Sequence, residues 1–256
     1  IDLKLNRPKK SLGQNFLIDK NISKKIVNLT KVNNKKIIEI GPGRGFLTDE
    51  ILSRKPKKLT IIEIDQYLFL LLKEKYRDVK NIEVINHDAL KYNYKENLNA
   101  KTIISNLPYN ISIKLIIKWL KMKNHFAELI LMIQKEVAKK MNYNNIIKKN
   151  RLNCLIENTS NIFNIEFHVS RNVFIPKPKI DSSVIKIIPK NNINIDLNKF
   201  EIFTREIFQH KRKKISKFIN SKKININDSF NNLIEKRAED LSNNELLKIF
   251  NKSYNS

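Results

Sequence analysis

Short apolar runs alternate with amphipathic segments along the first two thirds of the chain. The apolar runs predict buried strands, and the segments between them have the spacing of helices. The predicted strands lie at residues 37–40, 59–65, 82–86, 102–105, 129–133, 162–169 and 183–188. Alternating strands and helices predict a mostly parallel sheet with helices on both faces. The final strand pair predicts an antiparallel edge.

The pattern changes near residue 190. Beyond that point apolar residues recur at helical spacing, and no strand-like alternation follows. These apolar positions are Leu197, Phe200, Phe203, Ile207, Ile215 and Phe218. We therefore expect an α/β domain over 1–189, which includes a basic N-terminal arm ending at 7–10, and a small helical domain over 190–256.

Glycine is concentrated in one loop, at residues 41–45. The chain has only four glycines in 256 residues, where average usage of about 7% would give roughly 18. Gly41, Gly43 and Gly45 all lie in this loop, between the strand 37–40 and a helix that starts near Phe46. This arrangement binds nucleotide-like cofactors beyond the carboxyl end of the strand in doubly wound folds. A tight turn without a ligand is the alternative.

The loop lacks two phosphate-binding signatures. A dinucleotide fingerprint requires glycine at position 46, which is Phe46, and a P-loop requires a Gly-Lys-Ser/Thr ending, which is absent. S-adenosylmethionine is an adenosine that carries an amino acid and no phosphate. The loop therefore favours S-adenosylmethionine as the cofactor.

Two acidic residues follow the next strands. Glu63 lies about 20 residues beyond the glycine loop, where an acid binds ribose hydroxyls in such folds. A carboxylate suits this role because it accepts two hydrogen bonds from a vicinal diol. Asp88 follows the strand 82–86, where it either accepts from an adenine amino group or caps a helix.

The charge of the chain favours a polyanionic partner. Fifty Lys and Arg against 25 Asp and Glu give a formal charge of +25, which is typical of nucleic-acid binding. An AT-rich genome explains the preference for Lys over Arg but not the twofold excess of basic residues. The basic run at 211–214 either contacts phosphates or faces solvent.

The remaining composition narrows the class of protein. The single Cys154 excludes an internal disulfide, and the four scattered histidines lack metal-ligand spacing. The sequence shows neither an apolar run of membrane-spanning length nor a signal-peptide pattern. We expect an intracellular, cytoplasmic protein without metal or membrane.

The candidate chemistry lies at Asn106, Leu107, Pro108 and Tyr109, directly after the fourth strand. Methylating an exocyclic amine of an aromatic base is difficult because the nitrogen lone pair is delocalised into the ring. The Asn106 side-chain oxygen and the Leu107 carbonyl would supply acceptors for both N–H groups and so free that lone pair. Pro108 would stiffen the turn, and the Tyr109 ring would stack on the base. An ordinary Asn-Pro turn is the alternative.

These motifs together carry a resemblance to a known family. The chain resembles the ribosomal small-subunit RNA adenine dimethyltransferases of the KsgA type, with matches in family order from residue 11 to 184. The matching stretches are 13–17, 39–43, 62–65, 106–112, 134–137 and 174–182. Asn150 departs from the family, which usually has glycine there.

The resemblance implies a fold, a reaction and a set of site residues. It implies a Rossmann-like class I methyltransferase with a seven-stranded sheet, acting as a monomer on immature 30S subunits. The product would be N6,N6-dimethyladenosine at two adjacent adenosines near the 3′ end of 16S rRNA. Tyr109 and Phe174 would sandwich the target adenine. The residues that would contact S-adenosylmethionine are Asn15, Leu17, Gly41, Gly43, Glu63, Asp88 and Asn106.

Three alternatives share much of this pattern. Antibiotic-resistance methylases that modify 23S rRNA have the glycine loop and the Asn-x-Pro-Tyr pattern, although 110–112 and 174–182 favour the small-subunit group. A protein acting mainly as a ribosome-assembly checkpoint needs the same surface. A mitochondrial transcription factor of the same fold is more remote.

Overall fold

The computed structural model describes residues 12–95, 101–122, 124–144, 148–209, 213–224 and 230–254. Nine strands and ten α-helices lie in these ranges. The strands are β1 Phe16–Leu17, β2 Lys36–Ile40, β3 Lys58–Glu63, β4 Ile82–Asn86, β5 Lys101–Asn106, β6 Phe126–Gln134, β7 Ser160–Val169, β8 Phe174–Ile175 and β9 Ser182–Pro189. The helices are α1 Lys20–Val27, α2 Phe46–Ser53, α3 Gln66–Lys75, α4 Ser112–Leu120, α5 Lys135–Met141, α6 Arg151–Thr159, α7 Leu197–Ile207, α8 Ile215–Ser221, α9 Asn231–Ile234 and α10 Asn243–Tyr254.

Seven strands form one sheet in the order β4-β3-β2-β5-β6-β9-β7. The pairs β4–β3, β3–β2, β2–β5 and β5–β6 are parallel, and β9 runs antiparallel to β6. The predicted mostly parallel sheet with an antiparallel edge is therefore confirmed. The strand order reverses between β2 and β5, where α/β sheets place their ligands.

Local signals explain why the helices begin where they do. Asp19 accepts hydrogen bonds from the backbone N–H groups of Asn21 and Ile22 and so caps α1, and Asp65 caps α3 in the same way. Each cap satisfies donors that the first helical turn leaves without partners. In the core behind these helices, Ile37, Leu59 and Ile104 from three strands are fully buried.

The described chain divides into two compact units. One comprises residues 1–139 and 161–191, and the other comprises 140–160 and 192–256. The segment 140–160 therefore groups with the C-terminal helices, whereas the predicted boundary near 190 kept it with the sheet. The reason is α6, whose Arg151 pairs with Glu201 of α7 at 3.1 Å and whose Asn158 bonds Asn243 of α10 at 2.7 Å.

The helix α6 is absent from the sequence-based prediction. Its N-cap is Asn150, whose side chain accepts from the N–H groups of Leu152 and Asn153, while the Asn153 side chain accepts from the N–H of Asn150. Asn150 has φ of −144°, which any residue adopts. Asn150, which stands where the family usually has glycine, is thus a helix cap and needs no unusual backbone conformation.

The C-terminal unit has its own aromatic core. Phe200 and Phe203 of α7 and Phe250 of α10 are fully buried. The rings of Phe200 and Phe250 meet edge to face with centroids 5.2 Å apart, a favourable arrangement for aromatic pairs. The helical spacing of apolar residues predicted for this region therefore reflects their packing in its core.

Candidate active site

The glycine loop has left-handed backbone at each of its three glycines. Gly41, Gly43 and Gly45 have φ of +60°, +61° and +84°, a region that other residues rarely adopt. A Cβ atom on Gly43 would lie 2.6 Å from the Phe16 ring, and one on Gly45 would lie 2.3 Å from the Tyr76 hydroxyl oxygen. The loop therefore needs glycine both for its conformation and for the side chains packed on it.

Glu63 ends β3 with its carboxyl group buried. Only 4% of the residue is exposed, and one carboxylate oxygen accepts from the backbone N–H of Asp65 at 2.9 Å. Burial raises the pKa of Glu63 to about 7, against the hydrogen bond from Asp65, which lowers it. The ionised form of a carboxyl group accepts hydrogen bonds from hydroxyl donors, and such bonds favour that form against the effect of burial.

Asp88 caps a turn directly after β4 and lies in the cavity wall. Its side chain accepts from the backbone N–H of Leu90 at 2.8 Å, so that it caps a turn rather than a helix. Asp88 also lines the same cavity as Glu63. The turn is held from α4, because the Lys118 ammonium donates to the Leu90 and Tyr92 carbonyls at 2.6 and 3.0 Å.

Asn106 is the last residue of β5, and its side-chain orientation is fixed. The amide nitrogen donates to the Asn15 carbonyl at 3.1 Å. An amide whose nitrogen is used in this way presents its oxygen as the remaining acceptor. The adjoining backbone is held as well, because the Ser105 hydroxyl donates to the Ile40 carbonyl at 2.7 Å and the Leu107 N–H donates to the Met132 carbonyl at 3.1 Å.

Tyr109 is half-buried beside Asn106. Its hydroxyl oxygen lies 2.7 Å from that of Ser182. Burial raises the pKa of Tyr109, although the hydrogen bond with Ser182 works in the opposite direction. The phenol therefore remains protonated at neutral pH, and its ring presents an uncharged π surface.

A single cavity brings together most of the predicted site residues. All of them line it except Leu17 and Phe174. The predicted residues in its wall are Asn15, Gly41, Gly43, Glu63, Asp88, Asn106, Leu107, Pro108 and Tyr109.

Leu17 and Phe174 lie in the hydrophobic core instead. Leu17 pairs with Phe174 in the two-stranded sheet of β1 and β8, and they are 5% and 2% exposed. Both belong to the core cluster that includes Ile26 and Val169. The Phe174 ring therefore has no face open to a base in this arrangement, and the geometry favours a core role for both side chains.

The cavity also contains residues that the sequence analysis did not assign. Ile64 and Leu68 follow Glu63 and supply apolar wall, as does Ala89 next to Asp88. Ile64 is 51% exposed despite its apolar side chain. The sequence carries no signal for this exposure, because Ile64 belongs to the same apolar run as the buried Ile61 and Ile62.

Within the described part of the chain, none of the helices combines the length and hydropathy needed to cross a bilayer. The same residues contain no group of three or more His, Cys, Asp or Glu side chains arranged to hold a metal ion.

The comparison with known families decides the class. The family model described as ribosomal RNA adenine dimethylase matches residues 5–254. This chain belongs to the ribosomal RNA adenine dimethylase family. The resemblance derived from the motifs is thereby confirmed.

Individual relatives agree with this membership. "Ribosomal RNA small subunit methyltransferase A" of Pelagibacter ubique is 42% identical over 84% of this chain and 83% of its own length. The protein of that name from Borreliella afzelii is 37% identical over 95% and 88%. The crystal structure of a dimethyladenosine transferase from Plasmodium falciparum has a TM-score of 0.77, at 27% identity, over 93% of this chain and 98% of that one. A 23S rRNA methyltransferase, ErmE, shares the fold with a TM-score of 0.68 at 21% identity, over 93% and 99%.

Proposed function

We propose that this member of the dimethylase family transfers methyl groups from S-adenosylmethionine to N6 of two adjacent adenosines near the 3′ end of 16S rRNA. The observation that carries the proposal is the Asn106 amide, fixed on the Asn15 carbonyl in a cavity that also contains Glu63. The names of the relatives that are 37–42% identical support the small subunit as the substrate. The family resemblance supports a cytoplasmic monomer that acts on immature 30S subunits.

The residues of the cavity fit S-adenosylmethionine. Its ribose hydroxyls would donate to the buried Glu63 carboxylate, and its adenine would pack against Ile64. Asp88 would accept from the adenine amino group, and the glycine backbone at 41 and 43 would approach the amino-acid part. The cofactor supplies a methyl group on a positively charged sulfur. That sulfur is a good leaving group when the methyl group is transferred.

Asn106 and Leu107 would activate the target amine. The Asn106 oxygen and the Leu107 carbonyl would each accept one N–H of the adenine amino group. Two acceptors placed in this way draw the nitrogen towards tetrahedral geometry, so that its lone pair leaves the ring system. This stabilisation acts where charge develops in the transition state. The methylated amine is acidic and loses its proton to water, so the site needs no strong general base.

The target base must leave its stack to reach this site. An enzyme that modifies a base takes it out of the helix and holds it in a pocket. Tyr109 would provide one stacking face for the base.

The decisive experiment is incubation of the protein with unmethylated small subunits and labelled S-adenosylmethionine, followed by mapping of the modified bases. Label at other RNA positions, or none, would contradict the proposal.

Cofactor affinity is expected to rise with pH through neutrality. Ribose hydroxyls donate to the ionised form of Glu63, so binding favours that form and lowers its pKa from the value of about 7 in the free protein. Below pH 7 the affinity should therefore fall by up to about tenfold per pH unit. Calorimetry between pH 6 and 8 measures this, with the Glu63→Gln variant as control. An equal pH dependence in that variant would show that another group is responsible.

The C-terminal unit offers a basic surface for RNA. Lys213, Lys214, Lys217 and Lys222 line a cavity of about 300 Å³. Lys214 is paired with Glu235 and Lys222 with Glu206. Among the described residues, Lys213 and Lys217 form no such ion pair and remain available for phosphates. Lys211 and Arg212 of the predicted basic run lie outside the described residues.

Neutralising the available lysines is expected to flatten the salt dependence of RNA binding. Replacing Lys213 and Lys217 by Gln should reduce the slope of log affinity against log salt by roughly 0.7–0.9 for each lost phosphate contact. Binding titrations over a range of salt concentrations measure the slope. Lys199→Gln is the control, because Lys199 is exposed in the same unit but outside this cavity. Equal slopes for all variants would mean that the two lysines face solvent only.

A further inference from the structure

The Tyr109 side chain is held by a residue from a distant part of the chain. Its hydroxyl shares a hydrogen bond of 2.7 Å with the hydroxyl of Ser182. Ser182 is fully buried and is the first residue of β9, opposite Gln134 of β6. The sheet thus places this hydroxyl on rigid, buried backbone.

The main chain of Tyr109 is held as well. The Ser112 hydroxyl donates to the Tyr109 carbonyl at 3.1 Å. The phenol oxygen is the side-chain atom farthest from the backbone, so a partner there restricts both side-chain torsions. A ring anchored at both ends lies in one plane at the wall of the cavity.

We propose that Ser182 is a positioning residue, which fixes the plane of the Tyr109 ring on which the target adenine stacks. The inference rests on the proposed function, since it assigns the ring to the RNA base. Ser182 acts only through Tyr109 and does not line the cavity itself. Without the Ser182 hydroxyl, the ring must be ordered each time a base enters.

The loss should appear after RNA has bound. Phosphate contacts elsewhere dominate the affinity for RNA, whereas the ring acts only on the fraction of bound RNA whose base is docked. A smaller competent fraction lowers the observed rate in proportion. Ser182→Ala should lower the single-turnover rate at saturating RNA and cofactor about 2- to 12-fold. This range corresponds to the 0.5–1.5 kcal/mol of a net hydrogen bond at 1.4 kcal/mol per decade.

A double-mutant cycle tests whether Ser182 acts through Tyr109. Tyr109→Phe removes the same hydrogen bond from the other side and keeps the ring. Each single variant should show the same loss, and the double variant should lose no more than either one. S-adenosylmethionine affinity, measured by calorimetry, should stay unchanged in all three.

The neighbouring serine provides a matched control. Ser183 is also fully buried in β9, and its hydroxyl bonds the His168 ring at 2.8 Å, away from Tyr109. Ser183→Ala should lose stability to a similar degree and keep the single-turnover rate.

Each outcome has one meaning. Additive losses in the cycle, or equal rate losses for Ser182→Ala and Ser183→Ala, would overturn the positioning role. If Ser182→Ala does not fold, Tyr109→Phe decides alone: a 2- to 12-fold loss supports the proposal, and an unchanged rate overturns it. Failure of the unmodified protein to methylate small subunits would instead refute the proposed function, and the positioning role would fall with it.

Discussion

Replacing Asn106 by alanine is expected to reduce the rate of methyl transfer about 100- to 1,000-fold while the protein remains folded. The Asn106 oxygen is one of two acceptors proposed to act on the target amine, and losing one oriented polar group at a transition state typically has this effect. The side chain is only partly buried, and it makes one described hydrogen bond, to the Asn15 carbonyl. The substitution should therefore lower the rate of methyl transfer far more than the stability of the fold. Single-turnover rates at saturating cofactor and RNA measure it.

A second asparagine provides the matched control for this experiment. Asn81 is also partly buried, and its amide nitrogen donates to the Pro56 carbonyl at 2.9 Å. It does not line the cavity. Asn81→Ala removes the same kind of hydrogen bond and should keep the rate within a few-fold of the unmodified protein. A folded Asn106→Ala variant with near-normal turnover would refute the role given to Asn106.

Those parts of the fold that depend on local patterns could be predicted from the sequence. Strand β2, the glycine loop and α2 are adjacent in the chain, and their apolar periodicity and glycine content identify them without tertiary information. The same holds for the start of α1, where the N-cap is Asp19, a residue type strongly preferred at that position. Residues at the ends of parallel strands, such as Glu63 and Asn106, then line one cavity because these ends lie at the same edge of the sheet.

Pairings between distant short segments could not be predicted in this way. Strands β1 and β8 have two residues each, too few for any periodicity to be visible. Their pairing places Phe174 in the core. The sequence motifs alone do not reveal this placement. The helix α6 was missed for a different reason. Its first turn lies in a polar, Asn-rich stretch, and the helix is held by packing on α7 and by the hydrogen bond from Asn158 to Asn243 of α10.

The glycine loop has structural requirements that the sequence analysis did not include. The concentration of glycine predicted either a loop that binds a nucleotide-like cofactor or a tight turn without a ligand. The protein itself fills the space beside two of these glycines, because the Phe16 ring and the Tyr76 hydroxyl lie where Cβ atoms at 43 and 45 would be. Tyr76 also donates to Asp49 of α2 at 2.7 Å and so links α2 to the residue that ends α3. The loop is therefore shaped by its neighbours as well as by any cofactor.

Replacing Phe174 by alanine is expected to destabilise the protein by about 3–5 kcal/mol, the usual effect of removing a buried phenylalanine ring. Phe174 is 2% exposed and belongs to the core cluster that contains Leu17 and Ile26. The cavity left by the ring would be lined by these neighbours, which cannot fully collapse into it. Denaturant unfolding measures the loss, and any fall in methylation should follow the fraction of unfolded protein.

Phe174→Leu separates this core role from the stacking role implied by the family resemblance. Leucine keeps most of the apolar volume and removes the aromatic face, so a core residue should lose less than about 1.5 kcal/mol of stability and keep its single-turnover rate. A stacking residue would behave in the opposite way. Losing a base–aromatic stack of about 1–3 kcal/mol would slow a folded Phe174→Leu variant by roughly 5- to 150-fold at 1.4 kcal/mol per decade. We expect the first result, because a ring buried in the core between β1 and its neighbours cannot stack on RNA unless β8 first separates from β1.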